Sequence, residues 1–567
     1  MIAAFTPPEV AWGAMSPVVV VLGIAVLGVL VEAFVPARAR RSVQVGLALA
    51  APAGALVAVA ALWSGVKASG GTTVLGGSLL VDGPGLVLWG TLALLALLAV
   101  LVVADRTETG EDAFAPSAAA VPGSDYEELA RSRGVVQTEV YPLLLLALGG
   151  MMVFAVAGDL LTLFVALEVL SLPLYLLTGM ARRRRLLSQE ASMKYFLLGA
   201  FASALFLFGI VLLYGYSGSL RFSELTTAAS TPGGLEPLLL VGLVLVMSGL
   251  LFKVGAVPFH LWTPDVYQGA PTPITGFMAA CTKVAAFGAL LRLVYAVFPG
   301  MGWDIGVVLW IVAIATILVG TGAALVQNDV KRLLAYSSIA HAGFILTGVV
   351  ALDQRGVTAV LFYLLAYGAA TVGAFGIVYL VRERSAEGSV VGEATALSQW
   401  AGLGRTHPVL ALTFTAFLLS FAGIPLTAGF IGKFAVFSAA VAGGAWPLAV
   451  VGVLASAAAA FFYVRVIVLM FFAGARDVEA VPVPGGSAVP ALALDDTDGL
   501  GATGAVVESG TVATVLALPQ RTTTTVVVRA EGFALVAVTL CAVLTVVLGV
   551  FPGPVLDLID GVARFLP

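Results

Sequence analysis

Apolar stretches close to the length of a bilayer crossing follow one another along almost the whole chain. A helix needs about 20 residues to cross a hydrocarbon core. On that rule the sequence predicts about 14 spans, at approximately 15–35, 43–65, 84–104, 138–157, 159–179, 191–215, 236–267, 271–298, 304–326, 331–351, 356–381, 408–442, 446–472 and 531–551. The seventh and the twelfth are interrupted. Hydrophobic residues make up 60% of 567 positions and charged ones 11%, a balance that no soluble chain of this length maintains. Lipid offers the backbone no hydrogen-bond partner, so spans of this length read as helices. The expected fold is an all-α polytopic membrane protein. The first apolar run, Val18 to Val35, follows Pro7 and Pro8 rather than basic residues, so it reads as a membrane helix and not as a cleaved signal peptide.

Charges between the spans test this reading. Arg38, Arg40 and Arg41 follow span one, Arg182 to Arg185 follow span five, Lys331 and Arg332 follow span nine, and Arg382, Arg384 and Arg405 follow span eleven. All are odd-numbered exits and therefore lie on one side. The positive-inside rule makes that side the cytoplasm and places both termini outside, as expected of a multi-pass protein of a bacterial cell membrane. Two long polar connections face the same way: Asp105 to Gln137, rich in carboxylates, and 473–529, rich in Gly, Ala, Pro, Thr and Val, which reads as a flexible loop.

Several function classes are excluded by what is scarce. A net charge of −4 gives no electrostatic reason to expect nucleic acid as a partner. Cys281 and Cys541 both lie in apolar runs, His260, His341 and His407 are scattered, and no strand precedes a GxGxxG turn. No metal site and no cofactor are expected in this chain.

Spans four to eight and nine to thirteen form two five-helix blocks of similar length, and an odd number of spans per block inverts the second relative to the first. The predicted divisions are 1–137 (three helices and a polar loop), 138–298 (first repeat), 299–472 (second, inverted repeat), 473–529 (loop) and 530–567 (last helix). Each block has its fourth span broken by Gly and Pro, at Leu251-Phe-Lys-Val-Gly-Ala-Val-Pro258 and at Gly423-Ile-Pro425-Leu-Thr-Ala-Gly429. Paired breaks in an inverted repeat point to a transport site near the bilayer midplane.

Lysine marks these breaks. The chain holds six lysines against 22 arginines, yet Lys194, Lys253, Lys283 and Lys433 all fall within predicted spans. Each charge at that depth costs roughly 2.5–3.5 kcal/mol on insertion scales. Arginine never gives up its proton in a protein, whereas a lysine stripped of water can, so amines kept at these places point to proton handling. Glu168, in Leu163-Phe-Val-Ala-Leu-Glu168, is the carboxylate at mid-depth; it reads either as one half of a Glu–Lys pair that opens and closes or as a fixed counter-ion. Lys194, nearer the start of span six, reads as snorkelling or as a bridge to that pair. His341 reads as a relay between blocks or as a packed, hydrogen-bonded ring, and His260 as a marker of an entry path.

Five strings carry a resemblance: Leu167-Glu-Val-Leu-Ser-Leu-Pro173, Glu190-Ala-Ser-Met-Lys-Tyr195, Lys253-Val-Gly-Ala-Val-Pro-Phe-His-Leu-Trp262, Leu334-Ala-Tyr-Ser-Ser-Ile-Ala-His341 and Gly423-Ile-Pro-Leu-Thr-Ala-Gly-Phe-Ile-Gly-Lys433. With the inverted-repeat plan, they resemble the antiporter-like membrane subunits of respiratory complex I (NADH-quinone oxidoreductase), and within that group the subunit N type; multisubunit sodium/proton antiporters share the plan. The resemblance implies proton translocation, with Glu168 and Lys253 as the first-repeat pair, Lys283 as the connecting residue and Lys433 as the second-repeat site. It further implies partners among the other complex I membrane subunits, antiporter-like and small, and lipid around the chain. NADH, FMN, iron–sulfur clusters and quinone would be bound by partner subunits. A non-pumping structural subunit, in which the lysines only tie helices together, is the blander expectation.

Overall fold

The computed structural model describes residues 10–107, 110–117, 121, 124–132, 136–230, 235–297, 301–384, 390–473, 524–527 and 531–566. All fourteen predicted spans are helical. Eleven helices among the described residues are long and apolar enough to cross a membrane. The remaining three spans depart from that plain type for visible reasons. Span four, Val140–Val156, has only 17 residues. Span ten, Val330–Val349, carries Lys331 and Arg332 in its first turn. Span twelve is split into Pro408–Ala422 and Ala428–Ala442. Span seven is split as well, into Glu236–Val254 and Trp262–Gly269.

Aspartates set where several spans begin. Asp82, Asp159 and Asp353 each accept a hydrogen bond from the backbone N–H three residues on, at Gly85, Thr162 and Gly356. A side-chain cap of this kind satisfies one of the orphan donors at a helix start and contributes about 1 kcal/mol. Burial then sorts the helices. Span eight, Thr272–Val297, is buried along all of its apolar window, whereas the window of span one, Trp12–Phe34, is only 28% buried. A helix apolar all round and enclosed by others belongs at the centre of a bundle; one that is mostly uncovered faces lipid. Spans eight and eleven, one from each repeat, are therefore the most enclosed helices of the bundle.

The odd-numbered exits meet at one end of the bundle. There Arg41 pairs with Glu531 at 2.7 Å, Arg182 pairs with Asp112 at 2.7 Å, and Lys331 pairs with Glu393 at 3.3 Å. The acidic connection after span three is tied down by these arginines and holds a short helix, Asp125–Ser132. Most of the expected flexible loop 473–529 lies outside the described residues. Its segment Thr524–Val527 forms a strand beside Val381–Arg384, which also pairs with Val390–Glu393. These strands, and the hairpin of Gly71–Val74 with Leu79–Asp82 at the opposite end, are small additions to a helical fold.

At that opposite end the Arg292 guanidinium grips Asp82 with two parallel bonds of 2.8 and 2.9 Å, and neither side chain is more than 1% exposed. Asp82 also accepts from the backbone N–H of Leu566, so one carboxylate joins span three, span eight and the C-terminal segment. Removing one member of a buried pair leaves the other charge uncompensated, at a cost of about 3–5 kcal/mol. Arg292→Leu is expected to lower the thermal stability of the assembled protein sharply, and double replacement of Asp82 and Arg292 by apolar residues to recover part of the loss; melting curves of purified protein would show it.

Glu393 offers a pH test. Burial alone would raise its pKa, but Lys331, Arg382 and the Thr272 hydroxyl hold it at about 2, below its ordinary 4.5. A carboxyl depressed by folding stabilises fully above its unfolded value, and the contribution fades as pH falls from there toward 2. The stability gap between the native chain and Glu393→Gln should therefore be widest near neutrality and narrow below about pH 4.5. A gap that stays constant in acid would show that Glu393 does not carry this charge.

Candidate functional site

The two breaks are built alike. Gly255 and Gly423 adopt left-handed conformations, φ +79° and +83°, which glycine enters without steric cost. Each donates its N–H back to the helix it ends, Gly255 to Leu251 and Gly423 to Leu419, both at 3.0 Å, and the next residue bonds the same carbonyl. This is a glycine C-cap. It leaves the last carbonyls of each half-helix pointing into the protein, at the negative end of the helix dipole.

Lysines meet these carbonyls. Lys433 Nζ donates to Phe421 O at 2.8 Å, to Ala422 O at 3.0 Å and to Ser456 Oγ at 2.7 Å. Lys283 Nζ donates to Val254 O at 2.8 Å. Lys283 follows directly on a π-helical turn, Met278–Thr282. The breaks match, but the lysines occupy different places: Lys433 lies on the half-helix after its break, and the corresponding carbonyls in the first repeat are met from span eight. Lys253, two residues before Gly255, donates instead to Ser171 Oγ at 2.8 Å and Tyr195 OH at 3.0 Å, and its ammonium lies 5.1 Å from the centre of the Tyr195 ring. All three lysines are at most 4% exposed. Among the described residues none has a carboxylate within 4.0 Å.

Glu168 is therefore near Lys253 but not bonded to it. Its buried Oε1 has no hydrogen-bond partner among the described residues. Ser171, one helical turn further on, takes the lysine instead. Lys194 is not at mid-depth. It is 44% exposed at the basic end, paired with Glu190 at 2.6 Å and Asp265 at 2.8 Å, and Asp265 in turn pairs with Arg332 of the second repeat at 2.8 Å. Of the two readings of Lys194, snorkelling or a bridge to the first-repeat pair, its exposure fits the first, and its ion pairs put it in a surface network joining the repeats. His260 lies in the turn between the halves of span seven, partly buried, with Nδ1 unpartnered among the described residues.

His341 is fully enclosed within the second repeat. One ring nitrogen is 2.9 Å from Tyr363 OH and the other 3.3 Å from Tyr463 OH, and the ring stacks on Tyr367 with centroids 4.6 Å apart. Tyr463 OH also meets Ser337 Oγ, and Ser338 Oγ lies 3.4 Å from Tyr267 OH on the second half of span seven. Hydroxyls and a neutral imidazole both donate and accept, so such a string can hand on a proton where an all-donor arginine cannot. The sequence reading missed Ser171, Tyr195, Tyr363, Ser456, Tyr463 and Asp265. Two had a local signal: Ser171 shares a helix face with Glu168, and Tyr195 adjoins Lys194. For Tyr363, Ser456 and Tyr463 no spacing in the sequence points to the contact.

Comparison with known proteins agrees with this architecture. Residues 157–458 match the family described as NADH:quinone oxidoreductase/Mrp antiporter, TM. The chain is 60% identical over 569 residues to NADH-quinone oxidoreductase subunit N of Beutenbergia cavernae, covering 99% of both, and 49% identical to the Mycobacterium tuberculosis protein of the same name, again covering 99% of both. Among solved structures it superposes on a chain of respiratory complex I from Thermus thermophilus with TM-score 0.70 and 32% identity, covering 96% of this chain and 100% of that one. A chain of the Mrp complex from Dietzia gives TM-score 0.72 at 24% identity, with 97% of each covered, a likeness of fold alone. On the family match, the identity and the shared broken-helix plan together, this chain belongs to the NADH:quinone oxidoreductase/Mrp antiporter family of membrane subunits.

Proposed function

We propose that this chain is the proton-translocating membrane subunit of a bacterial NADH:quinone oxidoreductase, driven by electron transfer from NADH to quinone in other subunits. The relatives that are 48–60% identical over nearly the whole chain and carry the name subunit N support the redox-driven complex over the cation antiporter. FMN, iron–sulfur clusters and quinone belong to partner subunits, and the neighbours in the membrane are the other antiporter-like and small subunits. The basic end faces the cytoplasm and both termini face outward. The functional units are the two repeats, 138–298 and 299–472, joined by the N-terminal three helices and the last span.

One observation carries this reading: among the described residues, Lys253, Lys283 and Lys433 are buried and bonded only to neutral oxygens. A carbonyl or hydroxyl oxygen accepts more strongly from an ammonium but still accepts from an uncharged amine, so loss of the proton strands no charge, and Lys433 keeps two of its three donated bonds. A salt-bridged lysine differs, because deprotonation would strand the carboxylate. In the proposed route a proton enters from the basic end, past His260, and loads Lys253. Glu168 tunes that loading by its distance, since an opposite charge nearby favours the charged amine. The proton then passes to Lys283, crosses by way of His341 and its tyrosines to Lys433, and leaves outward. Lys194 and Asp265 hold the mouth of the first repeat.

Two replacements test the route in the assembled complex reconstituted into vesicles. Lys433→Ala is expected to allow assembly and to reduce NADH-driven proton uptake or release at least tenfold, since a removed relay group costs on the order of 10²–10⁴ in transfer rate; undiminished pumping would defeat the route. Lys283→Met keeps length and burial while removing the amine. It should impair pumping in the same way, whereas a purely structural lysine would leave pumping intact. Sodium flux without dependence on NADH would move the chain to the antiporter branch.

A further inference from the structure

Threonines in these spans have a habit. Thr178, Thr282, Thr316, Thr347 and Thr545 each donate the hydroxyl to the carbonyl four residues back. Thr263 does not. It stands in the first turn of the half-helix Trp262–Gly269, where no preceding helical turn supplies that carbonyl, and its backbone N–H already goes to His260 O. The residue is 1% exposed and its Oγ1 has no partner among the described residues. A buried hydroxyl left so costs about 1–3 kcal/mol unless something meets it.

The position of that hydroxyl gives the orphan a meaning. A Cβ built on Gly255 would lie 2.9 Å from Thr263 Oγ1 and 4.0 Å from Lys283 Nζ, so hydroxyl and ammonium flank the same face of the Gly255 backbone. On the other side, the neighbouring Trp262 ring stacks at 4.7 Å on Tyr195, whose hydroxyl receives Lys253. Thr263 thus lies at the break beside the Lys283 amine, and its chain neighbour Trp262 packs on the partner of Lys253. A buried polar atom that no protein group meets is a place where an ordered water can bond.

We propose that the Thr263 hydroxyl is the relay between Lys253 and Lys283. It hydrogen-bonds a water against Lys283 and accepts a proton released by the Lys253 ammonium on an oxygen lone pair. It gives up its own hydrogen toward the uncharged Lys283 amine. Rotation about the Cβ–Oγ1 bond restores the starting state, with one proton moved and no bond to carbon changed. The glycine at 255 is then required twice, for the left-handed cap and because any side chain there would fill the space between hydroxyl and ammonium.

This inference rests on the lysine route proposed above, and the test separates the two. The assembled complex is prepared with Thr263→Val, which keeps the shape, Thr263→Ala, which cannot clash, and Thr263→Ser, which keeps the hydroxyl, alongside Lys283→Met. The expected result is NADH-driven pumping lowered roughly tenfold or more in the Val and Ala variants, with a larger slowing in D2O than the native complex shows. The Ser variant should recover native rate and isotope effect, which a merely packing threonine would not require. Native pumping in Val or Ala, or failure of Ser to rescue, overturns the relay. If Lys283→Met stops pumping while Thr263→Val does not, the relay alone falls; if both pump normally, the lysine route falls with it.

Discussion

Where each broken helix stops, its final carbonyls point into the protein with no following turn to engage them, and a lysine ammonium donates to them. Phe421 and Ala422 meet Lys433 in this way, and Val254 meets Lys283. The two halves of the interaction need one another. Unpaired carbonyls in hydrocarbon cost several kcal/mol each, and an isolated amine at that depth costs as much again. Together they form a site whose negative side is a helix terminus rather than a carboxylate. A helix dipole cannot be protonated away, so the attraction for positive charge there does not depend on the protonation state of any carboxylate.

This construction explains why the breaks recur while the lysines do not align. The cap is a backbone device, set by Gly255 and Gly423, and it appears in both repeats with the same bonds. The amine that serves it can arrive from any neighbouring helix that reaches the carbonyls. Inversion of the second repeat puts the two capped ends at comparable depth, with His341 and its tyrosines between them. The aromatic walls around Lys253 and His341 exclude bulk water and leave hydroxyl groups as the polar contacts. Both ends of the bundle are fastened by ion pairs instead, Asp82 with Arg292 at one and Glu393 with Lys331 at the other. Fixed charge pairs hold the frame at its rims, and exchangeable amines sit between them.

Much of the frame was legible in the residues. Fourteen spans, both interruptions and the gathering of the basic loops at one end follow from hydropathy, from Gly/Pro placement and from charge counting. Each of these is a local or additive property. The site was legible in part. Lys253, Lys283, Lys433 and His341 could be named because burying an amine or imidazole in lipid is costly wherever it occurs. Lys194 could be placed near a span end but its partners could not be named; only the fold shows it half exposed beside Glu190 and Asp265. Opposite charges on spans five and seven suggest a Glu168–Lys253 pair, and only the fold shows Ser171 and Tyr195 receiving the lysine.

The sequence by itself determined the crossings, their breaks and the residue types able to move a proton, because bilayer thickness, backbone satisfaction and the cost of buried charge act on each segment regardless of its neighbours. Tertiary structure alone decided which oxygen meets which amine. Ser456 and Lys433 are 23 residues apart and Lys283 and Val254 are 29 apart. Contacts between helices so separated depend on rotation and depth set by packing, and no periodicity within one helix encodes them.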